Sequence, residues 1–444
     1  MSKYIVLSIL ILLLSGLPCS AEKLSLIDAV KTALCNNNEL QAMKSSLSAS
    51  ERDIGIARSD IMPKIKFDES FVSTNNPAQV FGLKLNQTRL TSQDFAGAPN
   101  SFNNPGNITN FLTAVTLEQP IYNRKSNIGI AIAKKEYSAQ GYEYLRKQEE
   151  IANRVAQSYL SVSTAQEYIN VAKKAIDDAK EHLRIANVRY KNGLGLYSDV
   201  LRAQTAVTEA EQGLVSAQKN LNVSKRALGL VIGKQESIDI SGIAPEISLK
   251  SNAYYNDASL CRNDIKAMEV RVDNAKNNVK MAQADYFPTL NASSGYQLYD
   301  PYAPFALEGH NYYAGASLKW DTFDGNKSKY EKLKAKDKVA EAQQYLEGLK
   351  KNVLYKVYES YQNIEESRKN LELANSALKS AEEGKRLVLK RWENSLSPFV
   401  DLMDAQINLD GARVNVVKSK NDYKLSLINL SFESGIIFKD LGIE

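Results

Sequence analysis

The sequence predicts a mainly α-helical protein with a small amount of membrane β-structure, written as two copies of one helix-strand-strand-helix unit. Three observations carry that expectation. The chain repeats itself at long range. Its helical stretches show heptad seams of large apolar residues alternating with alanine. Between them lie short runs of period two.

The repeat is read residue by residue. Asn38-Glu39-Leu40-Gln41-Ala42-Met43 returns as Asn263-Asp264-Ile265-Lys266-Ala267-Met268, and Ala57-x-x-Asp60-x-x-Pro63 returns as Ala282-x-x-Asp285-x-x-Pro288. Arg189-Tyr190-x-Asn192-Gly193-Leu194 followed by Asp199-Val200-Leu201 returns as Arg391-Trp392-x-Asn394-Ser395-Leu396 followed by Asp401-Leu402-Met403. Self-similarity on this scale means two copies of one structural unit. We place the first repeat at residues 22–256 and the second at 257–444.

Residues 1–21 read as an export signal. Lys3 supplies the charge, Ile5 to Leu14 an apolar run too short to span a bilayer, and Ser15 to Ala21 a small-residue cleavage site, with cleavage expected after Ala21. Pro18 and Gly16 argue against lipidation at Cys19. No later run reaches the ~18 apolar residues of a membrane helix. The other cysteines, Cys35 and Cys261, occupy near-equivalent places in the two repeats. Such places are too far apart for a disulfide, so two free, buried thiols are expected. The net charge is +5 over 444 residues, with Lys, Glu and Asp interleaved along helices. That is a solvated surface and not a nucleic-acid-binding one.

The longest seam is Val155, Val162, Ile169, Ile176, Leu183, Tyr190, with Ser158, Ala165, Ala172, Ala179 and Ala186 three residues after the first five. Small residues at one core position let helices approach closely. Ile364, Leu371, Leu378 and Trp392, with Ser367, Ala374 and Ala381, repeat it. After the Asn-Gly/Ser-Leu turns the seams resume as Val200, Val207, Leu214, Leu221, Leu228 and as Leu402, Leu409, Val416, Tyr423, Leu430. The helix from about Arg124 to Tyr190 has ~67 residues and would be ~100 Å long. The two shorter helices of the same repeat match it when laid end to end. A cylinder wall is therefore expected, in which two short helices stack beside one long one. Their junction, Gly233 to Tyr255, reads as irregular structure.

Period two appears at about 64–74, 108–120, 289–299 and 311–322. Tyr312, Ala314, Ala316, Leu318, Trp320 alternate with Tyr313, Gly315, Ser317, Lys319, Asp321, giving one apolar and one small polar face. That is the pattern of a transmembrane β-barrel strand. Glu69 falls out of pattern. A soluble hairpin pair capping a coiled coil is the alternative. Four strands cannot close a barrel, so membrane strands require several chains to share one, at about 8, 12 or 16 strands. Asn75 to Asn107 and Asp300 to Asn311 are the expected outward loops.

Taken together, the export signal, the duplicated unit, the alanine heptads and the Arg-aromatic-x-Asn-Gly/Ser-Leu…Asp turns resemble the TolC-like outer membrane efflux protein family. The resemblance covers essentially the whole mature chain. It implies a homotrimer with a 12-stranded outer-membrane β-barrel continuous with a long periplasmic α-helical coiled-coil barrel. It further implies a periplasmic adaptor, an inner-membrane pump, and export of small molecules or polypeptides. Asp401 and Asp404 match carboxylates that line the tunnel mouth in some members. They are three residues apart and share a helix face, which suits a cation-selective ring. Acids near a helix start also favour the helix dipole, with Ser397 as N-cap and Pro398 as first helical residue. Asp199 and Trp392 match positions that hold the mouth shut in some relatives, but the basic partner is replaced by Ser397. Gly193, Leu194, Ser395 and Leu396 sit at the hairpin tips, where such proteins meet their adaptor.

No enzyme is expected. Of two histidines, His182 falls mid-seam on a long helix and His310 in an outward loop, nothing pairs them with a nucleophile, and there is neither metal-ligand clustering nor a phosphate loop. No cofactor is implied. The competing function is an envelope-spanning coiled-coil spacer without a pore, which would have no use for strands with a small polar face.

Overall fold

A computed structural model describes residues 23–96, 99–242 and 247–443. The export signal and Cys19 lie outside the described residues. In chain order, leaving out three helices of five residues or fewer and one short 3-10 turn, the elements are β1 (Lys23–Leu24), α1 (Leu26–Asn36), α2 (Asn38–Ser59), β2 (Lys64–Thr74), α3 (Pro77–Asn86), β3 (Ile108–Tyr122), α4 (Arg124–Lys191) and α5 (Tyr197–Val231). There follow β4 (Asp239–Ile240), α6 (Asn252–Ser259), α7 (Asn263–Gln283), β5 (Thr289–Asp300), β6 (Gly309–Lys319), α8 (Lys327–Glu393) and α9 (Phe399–Glu433). Two compact units result, and both cut across the repeats. One takes the chain up to Ser46, Gly141–Ala267 and the chain from Glu347; the other takes Leu47–Gln140 and Met268–Leu346.

The first unit is helical. Seam residues Val155, Val162, Ile176 and Ala186 of α4 are buried, as are Ala203 and Leu228 of α5, Ile364 and Ala374 of α8, and Leu402, Leu409 and Leu430 of α9. Side-chain hydrogen bonds tie α4 to α9 along their length: Gln157 donates to Asn429 (2.9 Å), Thr164 to Asn421 (2.7 Å) and Lys420 to Glu167 (2.9 Å). Helix α5 joins α4 through the Lys180–Glu211 pair at 3.6 Å, and Ser367 of α8 meets Ser426 of α9 at 2.9 Å. The main apolar core gathers Leu26, Ala29, Val30 and Ala33 of α1 around Ile151, Val155, Tyr159, Leu228 and Ile232.

The expected irregular stretch after α5 holds more structure than its composition suggested. β4 pairs in parallel with β1, and the Tyr159 hydroxyl donates to the Ser241 carbonyl at 2.8 Å. Gly233 has φ +81°, and a Cβ there would lie 2.5 Å from the Asn36 carbonyl oxygen. Only glycine accepts both the left-handed turn and that approach. Cys35 and Cys261 are free but exposed, which corrects the expectation of burial. Cys35 lies in the last turn of α1, and Cys261 in the turn between α6 and α7.

The second unit carries one antiparallel sheet in the order β2-β3-β5-β6. β3 and β5 join the two repeats, with Thr113 opposite Leu298 and Val115 opposite Tyr296. The last strand runs Gly309–Lys319, starting two residues earlier and ending three residues earlier than the expected 311–322, so Trp320 and Asp321 lie beyond it. Glu69 is accommodated by accepting a hydrogen bond from Thr113 at 2.5 Å across the strand pair. Both sheet edges are unpaired among the described residues, and they expose Ile65, Phe67, Phe71, Tyr312 and Leu318. The first loop is not plain coil. Asn76 caps α3 and Pro77 opens it, and Phe102 meets Phe81 and Phe95 edge-on, each at 5.4 Å. No described helix is long and apolar enough to cross a membrane, which says nothing about the strands.

Candidate functional site

The duplicated turns form two hairpin tips in the helical unit, and the same local chemistry builds both. At the first, Leu194 N–H donates to the Arg189 carbonyl (2.8 Å) and Gly193 N–H to that of Tyr190 (3.0 Å). At the second, Leu396 N–H donates to Arg391 (2.8 Å) and Ser395 N–H to Trp392 (2.9 Å). This bond pair ends a helix with one left-handed residue. Gly193 takes that place with φ +72°, and Ser395 takes it with φ +61°. A serine there is strained, and its hydroxyl has a use.

Arg189 crosses from one tip to the other. Its guanidinium donates to the Glu393 carbonyl (2.6 Å) and the Ser395 hydroxyl (2.8 Å), and it lies over the Trp392 ring at 5.1 Å. Trp392 (4% exposed) packs on Phe399 (3%) with centroids 5.1 Å apart, within an apolar cluster that includes Ala186, Val200, Ala203 and Leu402. One charged side chain therefore holds both turns in register.

Asp401 lies in the first turn of α9 and Asp404 in the second, and both are exposed. Asp199 occupies the equivalent first turn of α5 and is half-buried. The capping expectation needs correcting. Helix α9 begins at Phe399 with Pro398 as its cap, and among the described residues no side chain caps it and the buried Ser397 hydroxyl has no partner. Packing of Phe399 against Trp392 sets where the helix starts. Leu194 and Leu396 at the tips are both exposed. The predicted residues thus divide: Trp392 and Ser395 converge on Arg189, while Asp401 and Asp404 point outward.

Behind the tips is a polar node that sequence reading missed. His182 is buried, and its Nε2 meets Gln406 Oε1 at 3.1 Å. Gln406 Nε2 donates to Asp178 (3.2 Å) and Asp410 (3.0 Å), and Arg413 donates to the same two carboxylates at 2.7 and 3.0 Å. Lys385 stands 3.6 Å from Asp178. With the Gln406 amide committed to carboxylates, its oxygen must accept, so His182 carries its proton on Nε2. Its Nδ1 is buried without a partner among the described residues. Burial pushes the His182 pKa down, and Lys385 adds to this; Gln406, Asp178 and Glu181 oppose it. Burial raises Asp178, but the charges and hydrogen bonds of Arg413, Lys385 and Gln406 outweigh it and leave its pKa lowered. The clue in the sequence was Gln406, which closes the second Ala-Gln motif. Nothing in spacing alone linked it to His182. No group of His, Cys, Asp and Glu able to hold a metal occurs among the described residues.

A long-helix unit ending in paired tips, with an open-edged sheet of membrane-type strands, defines an outer-membrane channel protein. The chain belongs to the outer membrane efflux protein family, which it matches over residues 29–234 and 254–435. It is similar to outer membrane protein TolC of Vibrio cholerae, with 24% identity over 329 residues that cover 71% of this chain and 74% of that protein. It is also similar to the alkaline protease secretion protein AprF of Pseudomonas aeruginosa, at 19% identity over 425 residues covering 93% and 85%. Among solved structures, outer membrane protein VceC of Vibrio cholerae shares the fold with a TM-score of 0.74 at 18% identity, covering 92% of this chain and 96% of that one. The protein is thus an outer-membrane efflux or secretion duct with a large periplasmic helical part. Its relatives are channel proteins, and the pore-less spacer is set aside.

Proposed function

We propose that three copies form one exit duct, each giving its four strands to a 12-stranded barrel and its helices to a periplasmic tunnel. A periplasmic adaptor and an inner-membrane pump would feed small molecules or polypeptides into it. The observation that carries this reading is the four-stranded sheet with two unpaired, apolar edges. Such edges pair with another chain or aggregate. In lipid every backbone group needs a partner, so only closure with other copies satisfies them. The exposed tip leucines Leu194 and Leu396, carried on the left-handed turns of Gly193 and Ser395, are the adaptor-docking surface in this reading. Asp199 and Trp392 are the contacts that hold the mouth.

Asp401 and Asp404 form the selectivity ring, two exposed carboxylates from each chain around the mouth. Closely spaced carboxylates at a constriction favour cations. Replacing both with Ala is expected to shift the reversal potential in a salt gradient towards zero and to weaken block by polyvalent cations. An unchanged reversal potential in a conducting trimer would remove the ring and leave both acids as helix-start residues.

A further inference from the structure

The contact that Arg189 makes inside one chain has a second, unfilled copy. The long helices α4 and α8, and the returning helices α5 and α9, correspond at one constant shift, from Arg189 to Arg391 and from Tyr197 to Phe399. Under it Arg189 becomes Arg391, and the aromatic pair Trp392–Phe399 becomes Tyr190–Tyr197. The first-repeat pair exists, with ring centroids 5.4 Å apart. Its residues are 46% and 56% exposed, whereas Trp392, under the Arg189 guanidinium, and Phe399, packed on Trp392, are nearly closed to solvent. Arg391 is exposed, and its side chain makes no hydrogen bond or ion pair among the described residues. One arginine has its aromatic seat; the other has none, and one seat is empty.

The rest of the layer has the same unfinished edge. Contacts run α5 to α4, α4 to α9, and α9 to α8, which leaves α5 and α8 as the free ends. The Thr164–Asn421 bond of α4 and α9 translates to Glu366 on α8 and Lys219 on α5. These two are oppositely charged and exposed, and neither has a partner among the described residues. A second copy that sets its α5 against α8 would satisfy both positions by continuing the pattern already present inside the chain.

We propose that Arg391 of one copy seats on the Tyr190–Tyr197 pair of the next, donating to the Lys191 carbonyl as Arg189 does to that of Glu393. This rests on the trimeric duct reading and adds the residues of its inter-chain seam. The two seams are unequal. Ser395 gives Arg189 a hydroxyl acceptor, while Gly193, in the matching place, has none. The seam between copies therefore has one charge-assisted hydrogen bond fewer than the seam within a copy. Mouth opening starts between copies.

The test is chemical cross-linking of the full-length trimer in detergent, in a background carrying Cys35→Ser and Cys261→Ser. Arg391→Cys with Gly193→Cys, treated with a short bifunctional maleimide, should give covalent dimers and trimers on a denaturing gel. Arg189→Cys with Ser395→Cys should cross-link within the chain and run as monomer, and the background should not react. Ser395, at φ +61°, shows that a side chain is tolerated at the left-handed position. Only monomer from the first pair, in protein that light scattering finds trimeric, overturns the proposal. A protein that is not trimeric overturns the duct reading, and the inter-copy seam falls with it. In a second measurement, Arg391→Ala should open the channel more often and Gly193→Ser less often; no change in either contradicts the unequal seams.

Discussion

Replacing Trp392 with alanine should loosen the tip of the helical unit by about 3–5 kcal/mol, the usual cost of emptying a buried tryptophan site. The residue is buried and anchors one cluster with Phe399, Leu402, Val200, Ala186 and Ala203. It is also the surface on which the Arg189 guanidinium lies. Losing it removes apolar contact and the aromatic face together, and frees the charge that ties both tips. Amide exchange around residues 385–402 should speed by about a hundredfold or more, and the channel should open more often. Trp392→Phe keeps an aromatic face and should recover most of the protection. If the alanine variant exchanges and conducts like the parent, Trp392 is neither an anchor nor a gate contact.

Acid should weaken the same region through His182. Its folded-state pKa lies below the ordinary 6.5. Folding therefore favours the neutral ring, and the unfolded chain binds more protons between the two values. Stability is fully present above about pH 6.5 and is lost as pH falls towards the folded-state value. The structural reason is specific. Protonation would place an N–H on Nδ1, a buried atom with no acceptor among the described residues. A buried unpaired donor costs about 1–3 kcal/mol, and more when charged. Asp178, Asp410, Glu181, Lys385 and Arg413 face or adjoin the node, and the lowered pKa values of Asp178 and Glu181 keep those two carboxylates charged while the ring titrates. The informative quantity is thus the difference from His182→Gln, which keeps a donor for Gln406 without a titrating ring. Between about pH 7.5 and about pH 5 the parent should lose more thermal stability than the variant. Equal losses would mean that His182 stays neutral or that the node relaxes around its charge.

What the sequence made legible follows from what periodicity measures. Seam residues such as Val155, Ile364 and Leu402 face a core wherever the helices pack, so their burial could be read in advance. The strands were visible because alternation such as Tyr312 to Trp320 has no helical meaning. The tips were visible as turns, since a left-handed residue after a helix leaves an Asn-Gly or Asn-Ser signature. Contacts between helices were not visible. Arg189 was read as part of a motif, yet its partners lie two hundred residues away in the other repeat. His182 looked isolated for the same reason, because Gln406 reaches it only through the packing of α4 on α9. Residue type alone points Cys35 and Cys261 inward, but their places in the last turn of α1 and in the turn before α7 leave both exposed. Ser397 looked like a cap by its type and place, but packing of Phe399 moved the helix start past it.

A membrane-spanning duct shared by several chains is the central feature proposed for this protein. The measurement that bears on it most directly is single-channel conductance of the detergent-extracted protein in a planar bilayer, under two salt gradients. Steady, small, cation-selective openings are the predicted result, since a tunnel narrowed by Asp401 and Asp404 passes few ions and prefers positive ones. A protein that stays in solution without detergent and gives no conductance would contradict the account, and would make the strand pattern a soluble cap on a coiled coil.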